Sequence, residues 1–458
     1  MFRVCACVLL FLLSFPAFAQ ENPSVILIVI DSMRPDHLQT YGYRRATSPE
    51  ILRFSQRAAV FTNAYSSSSW TRPGVESLMT GQYSSELNLN PGGGSPLKEG
   101  HGTIATVLRS YSYQTAAIYN TPQLTKPLMN LEGFDEEINY GENDDARTPY
   151  VARGVDKALS YLQSKSKPVF LLFHILDPHM PYMPKVNHFG QTPANKFADV
   201  DAWISKPPDC DKDLAQTCEL ALKPELSDEM QELYDSEIAE LDAELGRLFR
   251  YLEATPRYKN AFVVLTADHG EEFAEHGGLY HGARLYEETI RIPLIVHSPQ
   301  RPYSAGRRVA SFVSLVDLAP TIIQAAGISF EESAYSGRTL IPFLGRRAGV
   351  PRDTVFIEKL SCACEYASAV RSGDWKMIVR TQPKQRIELY NLRNDPREKN
   401  DLANSKAAEA QRAKTMLAGK IDTWTPHVLR PLASRNGDTA PPIPTELRER
   451  LKALGYIH

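Results

Sequence analysis

Residues Val25–Ile30 read Val-Ile-Leu-Ile-Val-Ile, an unbroken apolar run dominated by β-branched side chains, and the run stops on Asp31. A strand with one wet face alternates apolar and polar residues. A continuous run of this kind belongs to a strand buried on both faces, as in a parallel sheet covered by helices. The rest of the chain supplies what such a strand needs. Further buried-strand patterns fall at 116–119, 169–175, 261–266 and 293–297, with helical patterns at 151–163 and 228–253 between them. Ser48-Pro49 opens an amphipathic helix through Ala58, with the serine as cap and proline in the first turn. A helix over 317–326 is stopped by Gly327. Alternation of this kind predicts an α/β sandwich with helices on both faces. After about Leu344 the texture changes to short strands at 354–357, 367–370, 376–379 and 387–392, a small antiparallel subdomain, and 406–458 is charged and partly helical.

The N-terminus carries an address. Arg3 precedes an apolar stretch over 4–15, then Pro16 and Ala17-Phe18-Ala19, the layout of a secretory signal peptide cleaved before Gln20. The stretch is shorter than the roughly 20 residues of a spanning helix. This predicts a periplasmic or secreted protein with no integral membrane segment after cleavage. The expected organisation is 1–19 signal peptide, 20–345 catalytic domain, and 346–458 C-terminal subdomain and tail. Cys210 and Cys218 flank a polar loop suited to a local disulfide. Cys362 and Cys364 are too close for a CxxC motif and lack zinc-ligand company, so both pairs read as structural. A net charge of −3 and a pI near 6.4 exclude the basic face that non-specific nucleic-acid binding requires.

Open α/β sheets place their sites at the carboxyl ends of strands. Three such ends carry acids or histidines: Asp31, Asp268-His269-Gly270, and Asp177-Pro178-His179. A turn after a strand lets an adjacent acid and imidazole face one ion. In Trp70-Thr71-Arg72-Pro73-Gly74-Val75, a helix is expected to begin near Arg72, with Thr71 at its N-terminus. Unpaired amides and the macrodipole favour an anion there. A hydroxyl at that position, ligated to a divalent cation, loses its proton near neutral pH. By itself, the same threonine reads as a helix N-cap, the commoner role of such residues.

Together these segments resemble the sulfatase family of the alkaline phosphatase superfamily. The resemblance rests on Ile28-Val29-Ile30-Asp31, the 71–81 segment, Asp177-Pro178-His179-Met180-Pro181-Tyr182, and Thr266-Ala267-Asp268-His269-Gly270-Glu271. It continues through His281-Gly282, Leu285-Tyr286-Glu287-Glu288, Arg291-Ile292-Pro293-Leu294, Arg371-Ser372-Gly373-Asp374-Trp375-Lys376 and Glu388-Leu389-Tyr390-Asn391-Leu392. It implies an alkaline-phosphatase-like sandwich: a large mixed, mostly parallel central sheet flanked by helices, plus the small C-terminal antiparallel subdomain. It implies that Asp31, Thr71, Asp268 and His269 hold one divalent metal ion, with Thr71 as nucleophile. His179 and His281 would hold or protonate ester oxygens, while His174 and His276 read as ordinary histidines. The metal would be Ca2+, Mn2+ or Zn2+: the family points to calcium, and an imidazole ligand to manganese or zinc.

Departures from the family pattern are informative. Formylglycine sulfatases carry Cys or Ser followed by x-Pro-x-Arg; here Thr71 occupies the first position and Val75 the last, so no formylglycine is expected. The position after Asp31, an acid in the usual pattern, is Ser32, and Tyr119-Asn120-Thr121-Pro122 replaces the Gly-Lys-Trp-His-Leu-Gly segment. A formylglycine hydrate releases sulfate by elimination, an exit closed to threonine, whereas a threonine phosphate can be resolved by in-line attack. The expected activity is therefore hydrolysis of a sulfate or a phosphate/phosphonate ester, small or derived from a glycan or lipid. The alternatives are phosphoryl transfer to an alcohol acceptor in the cell envelope, and a non-catalytic binding protein on the same fold.

Overall fold

The Val25–Ile30 run forms β1, fully buried and fifth in an eight-stranded sheet of order β10-β2-β9-β6-β1-β5-β3-β4. The remaining strands of that sheet are β2 (Ala59–Tyr65), β3 (Gln114–Tyr119), β4 (Glu136–Asn139), β5 (Val169–Ile175), β6 (Phe262–Ala267), β9 (Arg291–His297) and β10 (Arg308–Ser314), while β7 (Glu272–Phe273) and β8 (Leu279–Tyr280) pair with each other apart from it. The computed structural model describes residues 22–87, 97, 100–141, 151–197, 224–298, 305–345, 349–361, 365–380 and 386–424. The expected leader, the Cys210/Cys218 and Cys362/Cys364 pairs, and 425–458 lie outside the described residues.

Strand β9 alone runs against its neighbours β6 and β2; the other pairings are parallel. The sheet is therefore mixed and mostly parallel. Helices Pro49–Ser55 and Val151–Ser164 pack on the long helix Pro224–Ala254, while Thr71–Thr80 and Ile104–Ser110 pack with Leu318–Ala325. These two groups cover the sheet, and β1, β5 and β6 have no exposed face. Gly327 adopts φ +78 just past the helix it was expected to stop, the left-handed conformation of a helix terminus.

Ser48 does not cap helix Pro49–Ser55 as expected. Its hydroxyl accepts from the Gln39 amide (2.9 Å). The free helix amides of Glu50 and Ile51 instead donate to the two oxygens of Asp242, each at 2.8 Å, so the cap comes from the long helix. Strands β2, β4 and β10 had no counterpart among the expected strands; β2 and β10 mix Ser, Thr, Asn or Arg into their pattern. Among the described residues, no helix is long and apolar enough to cross a membrane.

After the main sheet come β11 (Thr354–Ser361), β12 (Glu365–Ser372), β13 (Trp375–Arg380) and β14 (Arg386–Asn391), an antiparallel meander with helix Ala408–Trp424 against it. Its other face packs on Tyr65, Leu285, Tyr286, Ile290 and Phe312 of the larger unit. Within that contact, the fully buried Lys376 donates to Glu287 (3.2 Å) and pairs with Glu398 (2.9 Å).

Candidate active site

Register decides where the chemistry sits. Ile30 on β1 pairs with Ile175 on β5 and Ala267 on β6, so the three strands finish level. The chain leaves β1 at Asp31 and β6 at Asp268-His269, side by side. One ligand atom from each of these three residues lies within 4.8 Å of the others, and all three are buried. His269 Nε2 is 3.3 Å from Asp31 Oδ1 and 3.7 Å from Asp268 Oδ1.

Thr71 enters from the opposite side as the first residue of helix Thr71–Thr80, every residue of which is buried. The cap position is Trp70, so Thr71 is not an N-cap. Its Oγ1 lies 3.2 Å from His269 Nε2. The helix can come this close because position 74 is glycine: a Cβ there would meet the Asp268 carbonyl oxygen at 2.7 Å. Ser66 Oγ donates to that same carbonyl at 2.5 Å, fixing the turn from the other side.

Ser32 stands at the position of the missing acid and donates to the two carboxylates beside it. It adopts φ 57, an uncommon conformation outside glycine, which turns its amide toward Asp268 Oδ1 (3.3 Å) and lets its hydroxyl donate to Asp31 Oδ1 (3.2 Å). The His269 amide also donates to Asp268 Oδ1, at 2.9 Å. His174, set aside in the sequence, is fully buried with Nε2 3.3 Å from Asp268 Oδ2. Its position on β5, level with Val29, puts it at the metal-type acid, so it belongs to the site. The other discounted histidine, His276, lies outside it, bonded through Nδ1 to Glu288 and through Nε2 to the Glu398 carbonyl.

His179 and His281 close the other edge. Their ring centroids are 4.9 Å apart, and the His281 centroid is 4.2 Å from that of His269. Glu271, which the sequence did not single out, is fully buried and 2.9 Å from His281 Nδ1. Its place two residues after His269 was the available signal. All six sequence-derived site residues therefore converge on one buried cluster.

Electrostatics follow from that crowding. Burial opposes ionisation of Asp31, but the charges of His179 and His269 hold its carboxyl well below the usual range. Burial likewise disfavours charge on His269, yet the Asp268 and Asp31 carboxylates raise it to about 9. His281 is pushed down to about 3 by burial and by His269. Burial also lowers His179 and raises Glu271 to about 7.

The donor set fits a divalent cation. Two carboxylates, an imidazole nitrogen and a hydroxyl converge without a lysine or arginine among them. His269 Nδ1 donates to the Gly270 carbonyl (2.9 Å), so the proton that the two carboxylates hold on the ring at Nε2 is the one a bound cation would displace, freeing that nitrogen as a ligand.

The sulfatase family model matches residues 23–328, about two-thirds of the chain. The chain belongs to the sulfatase family. It is thus an ester hydrolase fold of the alkaline phosphatase superfamily. The family model described as N-sulphoglucosamine sulphohydrolase, C-terminal, matches residues 274–423. The N-acetylglucosamine-6-O-sulfatase of Bacteroides thetaiotaomicron is 24% identical over 480 residues, covering 87% of this chain and 85% of the relative. BT4656, solved with its substrate D-glucosamine-2-N,6-O-disulfate, superposes at TM-score 0.72 with 22% identity, over 91% of this chain and 100% of the other. The phosphonate monoester hydrolase of Agrobacterium radiobacter gives TM-score 0.70 at 20% identity, over 88% and 96%.

Proposed function

We propose that this sulfatase-family protein is a metal-dependent hydrolase that cleaves phosphate, phosphonate or sulfate esters through Thr71, without formylglycine. The observation that carries the reading is the Thr71 hydroxyl at 3.2 Å from His269 Nε2, at the first turn of a buried helix and beside two carboxylates. Asp31, Thr71, Asp268 and His269 would hold the ion, which supplies positive charge that favours the alkoxide and neutralises the ester oxygens. Thr71 Oγ then forms a bond to phosphorus or sulfur as the bond to the leaving oxygen breaks. His281, a neutral imidazole by its lowered pKa, would pass a proton from Nε2 to that oxygen as Nδ1 takes one from Glu271, which burial holds near 7 and which lies 2.9 Å away. Water attacks the threonine ester in line and regenerates the hydroxyl. Because threonine lacks the elimination route, this resolution favours phosphorus esters over sulfate. The leader-like N-terminus supports action in the periplasm or outside the cell.

The test is a turnover screen of an aryl sulfate, a phosphate monoester, a phosphate diester and a phosphonate monoester. Each is assayed after chelation and again with Ca2+, Mn2+ or Zn2+. Activity is expected to vanish on chelation and return with one ion. Thr71→Ala is expected to lower kcat at least about a thousandfold while the protein stays folded. Retained activity in that variant overturns the assignment.

A further inference from the structure

Trp70 and Arg72 flank the nucleophile in sequence and touch in space, the Arg72 guanidinium carbon lying 5.1 Å from the indole ring centroid. Arg72 is 8% exposed and, among the described residues, makes one hydrogen bond, from Nη1 to the Leu128 carbonyl at 3.3 Å. Its Nε is buried without a hydrogen-bond partner, and so is the Trp70 Nε1. None of the ion pairs among the described residues involves Arg72. Glu76 follows one helical turn later and interacts with Arg72, but burial pushes its carboxyl up to about 8, which weakens it as a counter-charge. Buried donors are nearly always satisfied, and a buried cation with no counter-charge is costly. Two unbonded N–H donors and a positive charge on touching side chains fit an anionic oxygen group.

The position of the pair indicates which group. Thr71 turns its hydroxyl to His269, so the reacting centre is already served. Trp70 instead borders the loop carrying His281: Gly282 donates to the Ser69 carbonyl at 2.7 Å, and a Cβ on Gly282 would lie 3.7 Å from the Trp70 Cβ. We propose that Trp70 and Arg72 form a subsite for a second anionic substituent of the substrate, so that the preferred ester carries an anionic group besides the one that reacts. This rests on Thr71 marking the reacting centre.

The test compares binding of N-acetylglucosamine 6-sulfate and glucosamine 2-N,6-O-disulfate by calorimetric titration in the Thr71→Ala background. The disulfate is expected to bind about tenfold tighter, as a charge-assisted contact allows, and adding Arg72→Met is expected to bring the ratio to about one. No preference, or a preference that survives Arg72→Met, overturns the subsite. Should Arg72→Met fail to fold by circular dichroism, Trp70→Phe keeps the ring and deletes the N–H; an unchanged ratio there overturns it equally. Undiminished turnover by Thr71→Ala would show instead that the nucleophile reading fails, and wild-type kcat/KM on the two sugars would then decide the subsite.

Discussion

Single side chains in this protein are set by what surrounds them more than by what they are. Glu76 is 3% exposed inside the helix that Thr71 begins, and its carboxyl sits near 8 against an ordinary value of 4.5. The folded state therefore holds a proton that the unfolded chain releases above about 4.5. The contribution to stability is complete below that pH and is lost as pH rises through 8. Glu76→Gln, which mimics the protonated form, is expected to flatten that loss. Denaturant midpoints at pH 5 and pH 8.5 check it: the wild type should fall more than the variant, and parallel falls would refute it. At this scale the site was largely legible, because Asp31, Thr71 and Asp268-His269 occupy strand ends and a helix start where chemistry concentrates. His174 was not: it lies inside the buried run of β5, one residue before the strand ends, and only the register with β1 and β6 brings it to Asp268. Glu271 was hidden likewise, since its partner is ten residues away across a turn.

Among elements, the short helix Pro49–Ser55 shows how far local signals reach. Proline at its first position marks the start correctly, yet the cap is Asp242, 191 residues from the Ile51 amide it accepts. Asp242→Ala frees two helix amides and should cost about 1–2 kcal/mol. The denaturant midpoint measures this, and an unchanged value would mean that water serves those amides as well. Long apolar runs declared their type and nearly their bounds: β5 coincides with the expected 169–175. Strand order is a different kind of information. That β9 inserts antiparallel between β2 and β6 depends on pairings far apart in sequence, and no local pattern encodes it.

For the whole molecule, the junction of the two sheets is the decisive feature. Lys376 on β13 is wholly buried between Glu287 of the larger unit and Glu398 of the smaller one. Lys376→Met would strand two carboxylates out of water and is expected to lower stability by about 3–5 kcal/mol. Adding Glu287→Gln and Glu398→Gln should restore much of that loss in equilibrium unfolding; no recovery would refute the charge argument. The junction also reaches the active site. The amides of Gly270 and Glu271 donate to the carbonyls of Thr289 and Glu288, each at 2.9 Å, so the Asp268-His269 turn leans on the same short segment that Lys376 grips. The small sheet is thus a buttress for the metal-type cluster and not a removable appendage. Anyone grafting the C-terminal sheet of one relative onto the catalytic unit of another would have to transplant the lysine and both glutamates as a set.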